Sequence, residues 1–290
     1  MNHLNRRNFL MNSTQALTAA ALAGCKDLNQ VAQVLPEDGR VMPVVFLGHG
    51  SPMLAIEQSP YSQAWETLGH SLPTPKMVLC ISAHWQTPSL QITAMAEPRT
   101  IHDFGGFPRQ LQEKLYPAPG WPAAAEEIRA GLSSASADLS WGLDHGCWCV
   151  LSRIYPEAKI PVLQLSLVDG KNARWHFELG KQLMSLRRRG VLIVGSGNIV
   201  HNLRTLKQGP AYDWAEEFDT QVRSSLVNRD DEALIEYQRF GKAASLSVPT
   251  DEHYLPMMPI LGLRRAEDKL GFFNEGLSSG SISMRSFTLG

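Results

Sequence analysis

Four histidines occur in short motifs at which the chain is predicted to leave a strand or to turn sharply. The motifs are GHGSP, SAHW, GNIVHN and TDEHY, and they contain His49, His84, His201 and His253 respectively. Neutral imidazole binds Fe(II), Zn(II) and copper, and proteins use groups of imidazoles to select such borderline metals. A single histidine is more often a structural residue, but the four motifs together predict a metal site. They do not form a contiguous zinc motif such as H-E-x-x-H, so their spacing identifies neither the metal nor the reaction.

A parallel sheet would bring these distant motifs together. The motifs of His49, His84 and His201 follow apolar, strand-like runs at residues 44–47, 77–81 and 191–194. The carboxyl ends of parallel strands lie along one edge of an open sheet, so loops far apart in sequence can meet there. Strands are predicted at residues 43–47, 77–82, 90–94, 161–167, 191–195 and 281–286, and helices at residues 61–68, 123–132, 173–189 and 214–228. This order predicts a single α/β domain of αβα architecture, with a central mostly parallel sheet and the metal site at the strand carboxyl ends.

An ordered series of motifs makes the chain similar to a known enzyme family. From residue 44 to the C-terminus it contains FLGHGSPM, SAHW, IHDFGGFP, YPAPG, LDHGCW, PVLQLSL, SGNIVHNLR, DEHYLP and SISMRSF. In these motifs the chain resembles the DOPA-type extradiol dioxygenases, class III ring-opening enzymes related to the B subunit of protocatechuate 4,5-dioxygenase. The resemblance implies a non-haem Fe(II) enzyme that cleaves a DOPA-like catechol beside its hydroxyl pair with O₂. Members of the family are also found with Zn(II) in the site.

The resemblance also implies roles for the four histidines. His49, His84 and His253 are expected to bind the metal. His201 is expected either to complete a four-histidine site or to contact substrate or oxygen as a catalytic residue. Glu252 precedes His253 and could compete with it as a ligand. Neighbouring side chains of an extended segment point to opposite faces, so only one of the two could reach the ion, and we expect it to be His253.

A fifth histidine, His145, lies in the motif LDHG, and the same resemblance makes it an acid/base or substrate-binding residue. Catechol binds iron best after losing protons, so a base near neutrality can accept a proton and return it later. The neighbouring Asp144 is expected to orient the imidazole. His102 lies in the motif IHDFGGF, which fits a flexible aromatic loop beside the substrate or a surface turn, whereas His70 and His176 are expected to be structural.

Composition restricts the possible functions independently. The chain has 290 residues, 43% of them hydrophobic, and a net charge of −1. Its length allows a substantial core, and it lacks a basic stripe with interleaved aromatic residues, so no nucleic-acid partner is expected. The run Arg187-Arg188-Arg189 is expected to complement a helix C-terminus. Neither Gly48-His49-Gly50-Ser51 nor Gly195-Ser196-Gly197 matches the G-x-S-x-G motif, which disfavours serine catalysis at these two turns. The family resemblance implies a small catechol and O₂ as the partners.

The N-terminal residues 1–25 are expected to be a targeting segment. They contain Asn5-Arg6-Arg7, which is typical of a twin-arginine export signal, followed by an alanine-rich stretch. Ala21-Leu22-Ala23 fits cleavage by signal peptidase, whereas Leu22-Ala23-Gly24-Cys25 resembles a lipobox that would place a lipid on Cys25 and tether the protein to a membrane. The lipobox is preferred, and an amphipathic cytosolic extension is the third alternative. We predict an exported, periplasmic protein in which residues 26–42 are a linker and residues 43–290 are the dioxygenase domain.

The remaining cysteines, Cys80, Cys147 and Cys149, are expected to pack in the core. Three cysteines cannot pair fully, and no C-x-x-C motif is present, so neither a disulfide scaffold nor a thiolate zinc site is indicated. Cys147 and Cys149 adjoin the predicted active-site residue His145, so oxidation or metal contact is the alternative for these two.

Two functions of different kinds fit these observations. The first is a metal-dependent extradiol dioxygenase, and the second is an exported metal-binding protein of the same fold without dioxygenase activity. A pure metal-binding protein does not need an acid/base beyond its ligands. His145 therefore favours the enzyme.

Overall fold

Alternating strands and helices build residues 34–290, the part of the chain that this computed structural model describes. The strands are β1 (Val44–Gly48), β2 (Met77–Ser82), β3 (Gln86–Thr87), β4 (Gln91–Thr93), β5 (Ser136–Asp138), β6 (Val162–Gln164), β7 (Leu167–Val168), β8 (Val191–Gly197), β9 (Leu270–Asn274), β10 (Leu277–Ser278), β11 (Ile282–Ser283) and β12 (Ser286–Leu289). The helices are α1 (Pro60–Ser71), α2 (Arg109–Gln112), α3 (Pro122–Gly131), α4 (His145–Ile154), α5 (Ala173–Gln182), α6 (Asp213–Asn228), α7 (Asp231–Ile235), α8 (Gly241–Ser247) and α9 (Met257–Gly262). Short 3-10 helices lie at Pro52–Ala55, Met184–Arg189, Leu203–Thr205 and Tyr237–Phe240.

Six of these strands form the central sheet of the unit Glu37–Gly290. Their order is β6-β2-β8-β1-β12-β9. Strands β6, β2, β8 and β1 are parallel, β12 pairs antiparallel with β1, and the edge strand β9 pairs antiparallel with β12. Strands β1, β2 and β8 are buried along their whole length, as expected for parallel strands covered on both faces. This sheet confirms the predicted α/β fold.

Helices cover both faces of the sheet, so its layers run αβα. On one face, Trp65 of α1 and Trp148 of α4 are fully buried in a cluster that includes Val45 and Val194 of the sheet. On the other face, α9 approaches β8 so closely that a side chain at Gly195 would collide with the backbone that leads into α9. Helix α9 in turn packs against α5. With both faces covered, the carboxyl edge of the sheet is left for the loops that carry the histidines.

Three predicted strands differ from those in the structure. The predicted strand at residues 90–94 is β4, which pairs with β5 in a separate two-stranded sheet. The run at residues 161–167 divides into β6, which joins the central sheet, and β7, which pairs with β3. The run at residues 281–286 divides between β11 and β12, and β12 is antiparallel to β1. Apolar patterning marks an extended segment, but the partner of each strand depends on tertiary contacts.

The predicted helix at residues 173–189 is also divided. Helix α5 ends at Gln182, and the 3-10 helix Met184–Arg189 follows and ends at Gly190, which has a φ of 79°. Within the arginine run, Arg187 is fully buried and binds Asp268 through two hydrogen bonds of 2.5 and 3.1 Å. The arginine run does lie in the last turn of a helix, as predicted, but the guanidinium of Arg187 forms an ion pair with Asp268 in the core.

None of the helices within residues 34–290 is both long and apolar enough to cross a membrane. The twin-arginine signal and the lipobox with Cys25, predicted within residues 1–25, lie outside the described residues, and so does the first part of the linker 26–42. Export, lipid attachment and these segment boundaries stay predictions from the sequence.

Candidate metal centre and active site

The four predicted ligand histidines and His145 line one cavity of about 420 Å³. His49 follows the last residue of β1, His84 lies two residues after β2, and His201 lies four residues after β8. His253 lies in the turn that precedes α9, and His145 is the first residue of α4. The carboxyl edge of the parallel strands thus gathers side chains from five distant segments, as the sequence predicts.

The ring spacing of three of these imidazoles is that of ligands on a single ion, and a second grouping is also present: the possible ligand atoms of His49, His84 and His145 lie within 4.8 Å of one another. The ring centroids of His49 and His84 are 5.0 Å apart, those of His49 and His253 are 5.2 Å apart, and those of His84 and His253 are 4.9 Å apart. With metal–nitrogen bonds of about 2.0–2.1 Å and tetrahedral angles, imidazoles on one ion have centroids about 5 Å apart and bonded nitrogens about 3.3 Å apart. The Nε2 atoms of His49 and His84 are 3.2 Å apart. We call His49, His84 and His253 the metal triad.

Ser196 fixes the tautomer of His49. The Ser196 hydroxyl donates to the carbonyl oxygen of Gly146 at 2.5 Å, so its oxygen accepts a hydrogen bond from Nδ1 of His49 at 3.0 Å. An imidazole protonated at Nδ1 carries its lone pair on Nε2. This lone pair faces Nε2 of His84, and a cation between the two nitrogens would stabilise the contact.

Glu252 is an outer partner of His253. Its Oε1 accepts a hydrogen bond from Nδ1 of His253 at 3.2 Å and a second from the Thr250 hydroxyl at 2.9 Å. The segment forms a turn rather than an extended strand, so the expectation that neighbouring side chains point to opposite faces is wrong here. A carboxylate in this position fixes the imidazole ring and leaves Nε2 of His253 available to a metal. Glu252 also lies close to His201, with ligand atoms of the three residues within 4.8 Å of one another.

Asp103 orients His145. Its Oδ2 accepts from Nδ1 of His145 at 2.9 Å, and its Oδ1 accepts from the backbone N–H of the same residue at 3.0 Å. Oδ2 also lies 3.5 Å from Nδ1 of His84. Burial opposes ionisation of Asp103, but the hydrogen bonds that His145 donates outweigh it and lower the pKa of the carboxyl. Sequence analysis missed this residue, although its position in the motif IHDFGGF could have suggested it.

Asp144, which was expected to orient His145, instead caps helix α4. Its Oδ1 accepts from the backbone N–H of Cys147 at 3.1 Å and from the Ser82 hydroxyl at 2.7 Å. Its Oδ2 accepts from the Gln164 side-chain amide at 2.7 Å. An N-cap side chain turns towards the first N–H groups of its helix, and this directs the Asp144 carboxylate away from the next residue.

His201 stacks on His253, beside the metal triad. The two rings are nearly parallel, with centroids 3.4 Å apart and an interplanar angle of 9°. This separation is shorter than the roughly 5 Å expected for two imidazoles on one ion. His201 therefore does not share the ring spacing of the metal triad.

Burial favours the neutral form of His49, His84, His201 and His253. It lowers the pKa of His49 and of His253 well below the ordinary value of 6.5, and neighbouring imidazoles add to the effect. Burial, followed by the nearby His145, lowers the pKa of His84 to about 4, and burial lowers the pKa of His201 to about 4. Neutral imidazole is the form that binds metals, so near pH 7 these side chains need lose no proton to do so.

The motif IHDFGGF forms an aromatic wall of the cavity. Phe104 and Phe107 line it, and Phe104 packs edge-to-face against His145 with centroids 5.5 Å apart. His102 packs behind this wall on Trp148, and its Nε2 donates to the carbonyl oxygen of Lys114 at 2.9 Å. The motif therefore lines the cavity, and its place beside a substrate stays a prediction.

The cysteines lie in the core. Cys80, Cys147 and Cys149 are free and buried, as the packing interpretation requires. Burial raises the pKa of Cys147 and Cys149 well above the ordinary thiol value. A buried neutral thiol is a poor nucleophile and a poor metal ligand, which disfavours the reactive alternative.

Two glycines allow the segments of the site to approach one another. A side chain at Gly146 would meet Oγ of Ser82 at 2.5 Å and the ring of His84 at 2.9 Å. A side chain at Gly197 would collide with the carbonyl oxygen of His253. Only glycine fits at these positions without moving two histidines of the metal triad.

Comparison with known proteins gives consistent similarities. Residues 43–270 match the family described as the catalytic LigB subunit of aromatic ring-opening dioxygenase. A protein of Escherichia coli (strain K12) named 4,5-DOPA dioxygenase extradiol is 43% identical over 258 residues, which cover 86% of this chain and 95% of the relative. The protein of the same name from Beta vulgaris is 34% identical over 86% of this chain and 97% of its own length.

A solved structure is also similar to this chain. The crystal structure of an uncharacterized protein from Escherichia coli K12 has a TM-score of 0.76 and 40% identity, and covers 86% of this chain and 100% of its own. The histidines from His49 to His253 all lie inside the range 43–270 that matches the family.

Proposed function

Because this chain belongs to the LigB family of aromatic ring-opening dioxygenases and is an oxidoreductase of the extradiol type, we propose that it opens a catechol ring with O₂ at an Fe(II) ion held by the metal triad. The observation that carries the metal assignment is the triangle of His49, His84 and His253, whose ring centroids are 4.9–5.2 Å apart. Membership of this family makes the alternative, a metal-binding protein without dioxygenase activity, the weaker hypothesis.

Iron and zinc would have different consequences in this site. Bound Fe(II) would supply the redox chemistry that lets a catechol react with O₂, whereas Zn(II) is redox-inert. The donor set of three neutral imidazoles suits either ion. We therefore propose that iron is the active metal and that zinc-loaded protein binds catechols without cleaving them.

His145 would act as the acid/base. Its Nδ1–H donates to Asp103, so its lone pair is on Nε2, and its ring lines the cavity. A catechol hydroxyl at the metal triad would lose its proton to Nε2 of His145, and the imidazolium formed would return it to the opening ring. The negative charge of Asp103 would stabilise that imidazolium.

The remaining residues of the cavity would hold the reactants. His201 presents a second imidazole beside the metal triad and could donate a hydrogen bond to substrate or oxygen. Phe104 and Phe107 would pack against the aromatic ring and exclude water. In the overall reaction the carbon–carbon bond beside the hydroxyl pair breaks and both oxygen atoms of O₂ enter the product, so O₂ is the oxidant.

DOPA is the reference substrate because the relatives from Escherichia coli and Beta vulgaris carry its name. The test is to load metal-free protein anaerobically with Fe(II), add DOPA and other catechols with O₂, and record O₂ uptake with the yellow ring-opened semialdehyde. We expect turnover with Fe(II) and none with Zn(II). His145→Gln should keep its iron but lose about 100- to 10 000-fold in ring cleavage. Absence of turnover with every catechol would overturn the proposal, and loss of iron from the His145 variant would show that this residue is a ligand.

A further inference from the structure

A second, smaller cavity adjoins the active site. It has a volume of about 130 Å³ and is lined by His201, Asn202, Leu203, Arg204, Pro249, Thr250 and Glu252. We call it the side cavity. His201 and Leu203 also line the main cavity, so the two cavities share these two residues as a common wall. A ring substituent that passes Leu203 would therefore leave the main cavity towards the side cavity.

The side cavity lies close to the metal triad. Glu252, which lines it, accepts a hydrogen bond from Nδ1 of His253 at 3.2 Å. His201, which also lines it, stacks on the ring of His253 with centroids 3.4 Å apart. A single imidazole ring, that of His253, thus separates the side cavity from an ion on the triad. A short polar substituent on a catechol at the triad can span this separation.

Arg204 brings a positive charge to the side cavity. Within residues 34–290 its guanidinium forms no ion pair or hydrogen bond, and Glu252 of the same cavity bonds to Thr250 and His253 instead. A guanidinium offers parallel N–H donors that match the two oxygen atoms of a carboxylate. An unpaired guanidinium at a cavity beside the active site therefore favours a ligand that carries a carboxylate.

Hydrogen bonds fix the backbone that carries Arg204. The side chain of Asn202 accepts from the backbone N–H of Arg204 at 3.2 Å and donates to the carbonyl oxygen of Leu246 at 2.8 Å. The backbone N–H of His201 donates to the carbonyl oxygen of Ser247 at 2.8 Å. A backbone held in this way lowers the entropy cost of binding a ligand at its side chains.

Lys207 is a second cation near the main cavity. It follows the lining residue Leu206, and its backbone N–H donates to the carbonyl oxygen of Ser279, another lining residue, at 3.0 Å. Its Nζ lies 3.8 Å from the centroid of the Tyr212 ring, so its charge already has a cation–π partner. Lys207 is not among the described residues that line either cavity. Arg204 is therefore the better placed of the two cations to bind a carboxylate.

We propose that Arg204 determines substituent specificity by binding, in the side cavity, a carboxylate on the side chain of the catechol. This inference rests on the proposed function and assigns a residue to substrate recognition. With the hydroxyl pair at the metal triad, the carboxylate would accept two hydrogen bonds from the guanidinium. Because this contact lies away from the ring that reacts, Arg204 contributes to substrate binding and not to the chemical step.

The test uses two pairs of catechols that differ only in a carboxylate. DOPA is compared with dopamine, and 3,4-dihydroxyphenylpropionate with 4-ethylcatechol. Calorimetry gives Kd for the zinc-loaded protein, and O₂ uptake gives kcat and KM for the Fe(II) enzyme. In Arg204→Gln we expect Kd and KM of the two carboxylates to rise about tenfold, the size of effect expected for a partly exposed charge-assisted hydrogen bond. The values for dopamine and 4-ethylcatechol, and kcat for all four, should change by less than about twofold.

Two further variants separate the fork from the charge and Arg204 from its neighbour. Arg204→Lys keeps the positive charge but not the planar fork, so it should retain part of the affinity for the two carboxylates. Lys207→Gln is the matched control, since it removes a cation three residues away, and it should leave all four Kd values unchanged. Circular dichroism checks that each variant is folded.

The two proposals can fail separately. Absence of turnover with all four catechols would contradict the proposed function, while calorimetry would still test Arg204. Equal effects of Arg204→Gln on all four Kd values, or no effect on any of them, would overturn the inference. A selective loss of carboxylate binding in Lys207→Gln, with none in Arg204→Gln, would overturn it as well. A zinc-loaded parent protein that binds none of the four compounds would contradict both proposals.

Discussion

Asp103 contacts two histidines of the site through one oxygen atom. Its Oδ2 lies 2.9 Å from Nδ1 of His145 and 3.5 Å from Nδ1 of His84, and its side chain is 20% exposed. This shared oxygen atom links the position of His145, the proposed base, to that of His84, a proposed metal ligand. Such outer partners orient metal-site imidazoles and set their basicity. Asp103 is therefore expected to be a positioning residue.

Removing the charge of Asp103 should reduce turnover more than substrate binding. In Asp103→Asn the amide oxygen can still accept from His145, but it no longer stabilises the imidazolium that forms when His145 takes a proton. We expect kcat to fall about 10- to 100-fold with KM nearly unchanged and metal content retained. Steady-state O₂ uptake and metal analysis by mass spectrometry measure these quantities.

Two further variants test this assignment. Asp103→Glu should recover part of kcat, because it restores the carboxylate at a slightly different distance. Asp169→Asn, at an exposed position outside the cavity, should behave as the parent protein. An equal loss of kcat in Asp103→Asn and Asp103→Glu, with lower thermal stability in both, would indicate a structural role instead.

The histidines and their carboxylate partner differ in how far the sequence predicts them. His49, His84 and His201 follow apolar runs that are predicted strands. Because the carboxyl ends of parallel strands lie along one edge of a sheet, these three positions are expected to lie close together. Asp103 bonds to a residue 42 positions away, through a loop whose path depends on how Phe104 packs against α4. No pattern in the neighbouring sequence indicates this contact. The sequence therefore suggests the adjacent Asp144 as the carboxylate that orients His145, and this prediction is wrong.

At the scale of elements, the His176 side chain joins a strand to a helix. Nε2 accepts from the backbone N–H of Val168 in β7 at 3.2 Å, and Nδ1 donates to the carbonyl oxygen of Asn172, the N-cap of α5, at 3.0 Å. Only the neutral ring can do both, because imidazolium has no acceptor. Burial accordingly lowers the pKa of His176 from 6.5 to about 4, although the bond to Asn172 opposes this.

This contact predicts a loss of stability in weak acid. The folded pKa of about 4 lies below the unfolded value of 6.5, so the contribution of His176 is complete above pH 6.5 and is lost as the pH falls towards 4. The difference corresponds to about 3 kcal/mol. His176→Gln should be less stable than the parent protein at pH 7. This difference in unfolding free energy should become smaller by up to about 3 kcal/mol between pH 7 and pH 4.

Urea unfolding across this pH range measures the unfolding free energy. The protein is studied without metal so that metal binding does not contribute to its pH dependence. His70→Gln is the control, since His70 is exposed on α1 and its loss should leave the pH dependence unchanged. Parallel curves for the parent and His176→Gln would contradict the prediction.

Helix α4 shows where sequence patterns fail at this scale. The parallel strands are buried on both faces and appear as continuous apolar runs, which makes them easy to predict. Helix α4 is buried at nine of its ten positions, with Arg153 the exception. The segment contains glycine, tryptophan, valine and two cysteines, none of which favours a helix, so no helix is predicted after His145.

Arg187 connects segments from both ends of the unit Glu37–Gly290. Its guanidinium donates to the carbonyl oxygens of Met42, Leu263 and Leu289 as well as to Asp268. These segments precede β1, follow α9 and end β12. The side chains of Arg187 and Asp268 are only 1% and 3% exposed, so both charges depend on each other for stabilisation.

Breaking this pair should destabilise the whole unit. Arg187→Met leaves the Asp268 carboxylate buried without its cation and three carbonyl groups without their donor, and we expect a loss of about 3–5 kcal/mol in unfolding free energy. Arg188→Met is the neighbouring control at an exposed position and should stay within about 0.5 kcal/mol of the parent.

The double variant Arg187→Met, Asp268→Leu removes both charges and should be more stable than Arg187→Met alone, because the unpaired carboxylate is the larger cost. Urea unfolding of the four proteins at pH 7 measures these differences, and a double variant no more stable than the single one would show that packing, rather than the buried charge, accounts for the loss.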